Sequence, residues 1–136
     1  MIANDIVTYL DSRGIAVKNT NLFLNFQKDS PDNCITVYDE SAPVLPESSC
    51  LAVDNYGIQV LVRNASSVSA AATIKEIHNI LAGFGGGSFV TGNDIVSYMT
   101  VVNSPYFIGL DSKNRHEWTT HYIARTELVG VSENRL

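Results

Sequence analysis

The chain lacks most of the features that announce a chemistry. It has two cysteines, Cys34 and Cys50, in 136 residues, 16 positions apart. That spacing is not the paired-ligand pattern of common structural zinc sites, so no metal is expected. Two reduced thiols are expected instead, Cys34 buried on a strand and Cys50 in a loop, with a disulfide between them as the alternative. The nine Lys and Arg are scattered rather than blocked, and the formal net charge is −5. Sequence-specific DNA binding needs concentrated positive charge and is therefore disfavoured. A net-negative surface can still lie beside DNA when its task is to let the DNA slide past. No apolar run reaches the ~18 to 20 residues that span a bilayer. The start, Met1-Ile2-Ala3-Asn4-Asp5, has neither the basic residues nor the apolar run of a signal peptide. No membrane partner and a cytosolic site of synthesis are expected.

What is present suits one α+β domain over 1–136, with 130–136 as a solvated tail. The hydrophobic fraction of 45% argues against disorder. Residues 2–13 read as a helix, with Ile2, Ile6, Tyr9 and Leu10 at helical spacing and Gly14 as its left-handed stop. Ile15 to Lys18 is expected as a short edge strand. Leu22, Phe23, Leu24 and Phe26 form an apolar patch before the turn Asp29-Ser30-Pro31-Asp32. Ile35, Val37 and Tyr38 follow as a strand, and 40–56 is expected as a long loop broken by Pro43 and Pro46. Ile58, Val60 and Val62 alternate as in a central strand. Residues 66–82 carry the strongest helical pattern, with Ser66 or Ser67 as cap, Ala70, Ile74, Ile77 and Leu81 as the buried stripe, and Gly83 as the stop. Phe84 to Ser88 is read as a flexible connector. Residues 95–102 are β-rich and expected to end at Pro105; 106–110 and 117–128 read as a hairpin turning at 111–114. The sum is a mixed, mainly antiparallel sheet of about five strands packed by two helices.

The side chains that suggest catalysis have plainer readings. His116 and His121 are five apart, not the four that puts two rings on one helix face, and in a strand an odd spacing sends them to opposite faces. The Gly-rich 84–88 stretch lacks the Gly-Lys-Ser/Thr ending of a phosphate loop and follows a helix rather than a strand. Cys34 and His78 offer a thiolate and a base, but His78 sits beside an apolar stripe, where a structural role is the commoner one. Asp29, Asp32, Asp39, Glu40 and Asp54 do not match a calcium loop and read as a solvated acidic face. Arg63 fits two readings equally: a strand-end charge in solvent, or a salt bridge to Asp39 or Glu40 on a neighbouring strand, within or between subunits. No enzyme activity and no cofactor are expected.

The succession Asp29-Ser30-Pro31-Asp32, Val37-Tyr38-Asp39 and Gly57-Ile58-Gln59-Val60-Leu61-Val62-Arg63 resembles the minor capsid family of long-tailed bacteriophages that includes the tail terminators. So does the later series Pro105, Gly109, Asp111, Asn114, Arg115 with its return strand. The resemblance spans about residues 20 to 128, and the Gly-rich 83–88 stretch departs from it. It implies a structural morphogenesis protein at the head-proximal end of the virion tail, assembled in the host cytoplasm. The implied partners are further copies of itself in a hexameric ring, the tail tube protein and a head connector, or neck, protein, with DNA passing through unbound. The expected contact regions are the 40–56 loop and the hairpin tip at 111–115, and the expected contact residues are Asp39, Glu40, Asp54, Arg63, Lys113 and Arg115. A head-completion connector of the same neck is the nearest alternative. A small cytosolic enzyme using Cys34 or the acids, and a module that binds a peptide strand at an open sheet edge, are the others.

Overall fold

A computed structural model describes residues 2–40, 53–82, 89–91 and 94–128. The described chain runs α1 (Ile2–Ser12), β1 (Leu22–Leu24), β2 (Cys34–Glu40), β3 (Val53–Asn64), α2 (Ser67–Ala82), β4 (Phe89–Thr91), β5 (Asp94–Leu110) and β6 (His116–Leu128). The six strands form one sheet in the order β1-β2-β3-β6-β5-β4. All pairs are antiparallel except β1 with β2. This is the α+β architecture expected from the pattern. β1 and β4 are three residues each, too short to stand out as periodic segments.

Both helices cover one face of the sheet. The alternation in β3 aims Ile58, Val60 and Val62 at them, all at most 1% exposed. Ile35 and Val37 from β2 and Tyr122 and Ala124 from β6 join the same cluster. α1 contributes Ile2, Ala3, Ile6, Val7 and Leu10, so its buried stripe includes Val7, while Tyr9 is only half-buried. α2 contributes Ala70, Ile74, Ile77 and Leu81, the four positions its spacing predicts. Each fully buried Ile or Leu removes enough apolar surface to favour folding by roughly 1.5–3 kcal/mol, and this cluster is the main stabilising element.

The helix ends are closed as the sequence suggests. Ser66 Oγ accepts from Ser69 N–H at 3.3 Å, and Asn64 Oδ1 accepts from Ser66 N–H at 2.9 Å. At the end of α1, Gly14 takes φ +77°. Its N–H bonds Asp11 C=O, and Ile15 N–H reaches back to Leu10 C=O at 3.1 Å, which satisfies the last carbonyls of the helix.

Three expectations need correction. Ile15 to Lys18 is not a strand: Lys18 makes only an isolated bridge to Leu22. The 40–56 segment is not all loop. Glu40 ends β2, and 53–56 already belong to β3, paired through Val53↔Glu127 to Tyr56↔Ala124. Hydrogen bonding to β6 supplies the order that the local sequence does not announce. Finally, Pro105 does not end a strand. β5 continues through it to Leu110, with register shifts against β6 on either side. Proline is tolerated there because it falls at an irregularity on an edge, where no ladder donor is needed. The remainder of the expected loop, Cys50, the stop at Gly83, the connector at 84–88 and the 130–136 tail lie outside the described residues.

Candidate functional site

The face of the sheet away from the helices is crossed by residues 25–33, a strap that leads from β1 into β2. Asn25 holds its first end: its N–H bonds Val37 C=O, and its side chain exchanges two bonds with Asp39, by Oδ1 from Asp39 N–H at 2.8 Å and by Nδ2 to Asp39 Oδ2 at 2.9 Å. Gln27 reaches Glu117 at 3.3 Å, and the Lys28 ammonium lies 5.1 Å from the centroid of the Phe23 ring. Two arginines hold the far end. Arg63 is 3% exposed and donates Nη2 to Pro31 C=O at 2.6 Å and Nε to Asp32 C=O at 3.2 Å. A planar fork with fixed donors suits this capping of adjacent carbonyls.

Arg115 closes the tip of the β5–β6 hairpin onto the same strap. Its Nε bonds Asp111 at 2.7 Å, Nη2 bonds Asp29 Oδ1 at 2.9 Å, and Nη1 bonds Asp29 C=O at 2.5 Å and Asp32 Oδ1 at 3.2 Å. Lys113 adds a contact to Asp29. Burial opposes the charge on Arg115, but the bonds to Asp111 and Asp29 outweigh it and raise its pKa. Lys113 and Arg115 in turn hold the Asp29 carboxyl below its ordinary range. Asp111 is also lowered. Desolvation pushes it up, but the Arg115 N–H and guanidinium overcome that. Asp29, Asp32 and Asp111 thus gather around a guanidinium.

The expected contact residues divide accordingly. The Arg63 salt bridge to Asp39 or Glu40 does not form within the chain, and Arg63 is not a solvated strand end. Its partners are backbone carbonyls, chosen by how the strap folds. Arg115 is likewise committed to its own chain. Asp39 accepts from Ala3 N–H at 3.2 Å as well as from Asn25, which ties α1 to β2. Glu40 pairs with His121 Nδ1 at 3.0 Å, and Tyr106 Oη lies 3.4 Å from His121 Nε2. Asp54 lies in β3 opposite Thr126. Lys113 is on the exposed tip, with 57% of its side chain accessible. Cys34 and His78 are not brought together. Cys34 is a buried free thiol whose pKa is raised by burial. His78 Nδ1 is 2.6 Å from Tyr122 Oη, and burial lowers the His78 pKa while it raises that of Tyr122 to about 12. The two histidines of the His116–His121 stretch do lie on opposite faces: His116 neighbours the Phe107 ring and His121 faces Glu40.

The feature that residue-by-residue reading missed is β5. Among the described residues, six of the nine exposed large hydrophobic residues lie on it: Val101, Val102, Tyr106, Phe107, Ile108 and Leu110, at 37–54% exposure. One edge of β5 pairs with β6. β4 covers the other only at Val96, Ile95 and Asp94. Among the described residues, nothing pairs with that edge from Tyr98 onward. The available signal was the absence of any charged residue from 95 to 110.

No curated protein matches the chain. A family model described as bacteriophage tail terminator protein matches residues 9–128, nearly the whole chain. That span includes the strap, both arginine anchors and all of β5, and the family is one of structural proteins. The chain therefore belongs to the bacteriophage tail terminator family.

Proposed function

We propose that this chain caps the tail tube as a closed ring, ends its growth and presents the head-facing surface of the tail. Its family membership makes it a phage tail protein; the uncharged, apolar and unpaired length of β5 is the observation that favours assembly with other protein surfaces. Native edge strands are usually blunted by charge. This one carries Pro105 and register shifts but no charge from 95 to 110, which leaves its apolar side chains unguarded and suits a strand destined to be covered. A ring needs heterologous contacts, one patch on each copy meeting a different patch on the next, and closure stops lateral growth. Axial growth stops when the outer face does not repeat the docking surface of the tube.

In this reading Lys113 at the hairpin tip, with Glu40 and Asp54, belongs to the surfaces that meet a neighbour or the bore. Arg63, Arg115 and Asp39 shape those surfaces from within. A net-negative bore repels phosphate and lets DNA pass without adhesion. Electron microscopy of tail-tube assembly with and without the protein tests the function. Tubes of defined length, each ending in one additional ring, are the expected result. Tubes that stay bare, with the protein bound instead to head connectors, would move it to the head side of the joint.

A further inference from the structure

Outside the strap, β5 stands out because its sequence suits an interior strand and its position is an edge. Val101, Phe107 and Leu110 pair in register with Tyr122, Trp118 and His116, which puts them on the helix side. Tyr106 pairs with Thr119, on the opposite side. Val102 and Ile108 fall within the register shifts between Val101 and Asn103 and between Phe107 and Gly109. Apolar side chains are thus offered on both faces of a strand whose outer backbone edge is also unpaired among the described residues. Strands that read as continuous apolar runs are normally covered on both faces. A partner lying flat on one face would leave the other wet, whereas a strand added at the edge extends the sheet and can cover both.

The amount of surface fits a protein seam. The six side chains expose on the order of 500 Å², near the upper end of the ~300–600 Å² of a monomer's largest apolar patch. That is more than half of the ~800 Å² each partner contributes to a standard interface, before any backbone ladder is added. The absence of charge from 95 to 110 leaves no electrostatic barrier to an identical chain, although the molecule as a whole carries −5. An unpaired edge of this kind is a template for pairing with another chain, and every copy of this chain carries one.

We infer that the open edge of β5, over residues 100–110, is where a second copy of this chain adds, so that the chain self-associates without any tube present. The inference rests on the proposed ring for its purpose, but its test needs no tail. Analytical ultracentrifugation of the purified chain should show concentration-dependent association. Ile108→Glu and Val102→Lys replace residues 48% and 53% exposed, so the monomer fold should survive, as circular dichroism would check. Each should weaken association at least about tenfold, as loss of one central apolar anchor does. Hydrogen exchange on the unaltered chain is the second readout: amides within 100–110 should slow as association proceeds, except at Pro105. A chain that stays monomeric at all concentrations overturns the inference. So does association that neither variant weakens, or exchange in 100–110 that association leaves unchanged. Protection of that edge by tubes alone would assign it to the tube protein and also overturn it. Failure of the proposed function reads differently: the chain would associate through β5 yet leave tube ends bare.

Discussion

β3 and β5 flank the same strand, β6, and both are long and apolar, yet they have opposite environments. In β3, Ile58, Val60 and Val62 are sealed beneath the helices. The other face of β3 is closed as well, since Leu61 and Arg63 lie within 7% of full burial. In β5, Met99 is the last described residue to be buried, and every large apolar residue beyond it is at least 37% exposed. Apolar content does not separate the two strands. Their neighbours do: β3 lies between β2 and β6 in a six-stranded sheet, whereas β5 beyond 97 has β6 alone among the described residues. The comparison teaches that an apolar strand records the environment it was selected for, which need not lie within one chain.

The sharpest way to break this contrast is to truncate matched isoleucines. Ile58→Ala should cost about 3 kcal/mol of stability, from lost transfer energy plus a cavity. Ile108→Ala, in dilute protein, should change it by less than ~0.5 kcal/mol, as exposed positions usually do. Urea unfolding monitored by circular dichroism measures both, and equal losses would remove the distinction. Next comes the closure of the second face. Arg63→Ala should cost about 2 kcal/mol, because it removes a charged donor from the carbonyls of Pro31 and Asp32. Arg63→Lys should restore only part, since an ammonium lacks the fork.

A smaller effect is expected where β6 meets α2. Tyr122→Phe removes the hydroxyl that bonds His78 and should cost about 1 kcal/mol. Burial of His78 also sets a pH response. His78 has its folded pKa below the ordinary 6.5, so its contribution is present above 6.5 and is lost as pH falls through the lower folded value. Asp29 and Asp111, held below 3.8, act in the same sense at lower pH: their contribution is complete above 3.8 and disappears in acid. Stability should therefore fall in two separated steps on acidification. NMR titration of His78 and of the two carboxyls would locate them, and a step that strengthens the fold in acid would contradict the assignment. The smallest effect is at the tip. Lys113→Ala breaks an ion pair exposed on both sides and should leave the urea midpoint unchanged.

Much of this fold was legible in the chain where burial and local geometry agree. The spacing of Ala70, Ile74, Ile77 and Leu81 needs only one helix face against one sheet. The alternation of Ile58, Val60 and Val62 needs only a covered face. Gly14 and Ser66 act within a turn of their own positions. Features that depend on distant chain were not legible. β5 passes Pro105 because β6 supports it from one side and no described residue pairs with it on the other. The partners of Arg63, and those of Arg115 other than Asp111, were not legible because they lie 31–32 and 83–86 positions away, some of them carbonyls that any sequence would supply. Resemblance to tail terminators gave the family, whereas the exposed apolar strand required the sheet order.

The Arg115 cluster also has a mechanical meaning. A long hairpin fixed only at its base would swing like a cantilever, and a force applied to β5 would be lost in bending. Here the tip is pinned through Asp29 and Asp32 to the strap, and the strap is pinned by Arg63 to the end of β3. The hairpin is a strut with both ends fixed. A load placed along β5 has a direct path into the buried sheet.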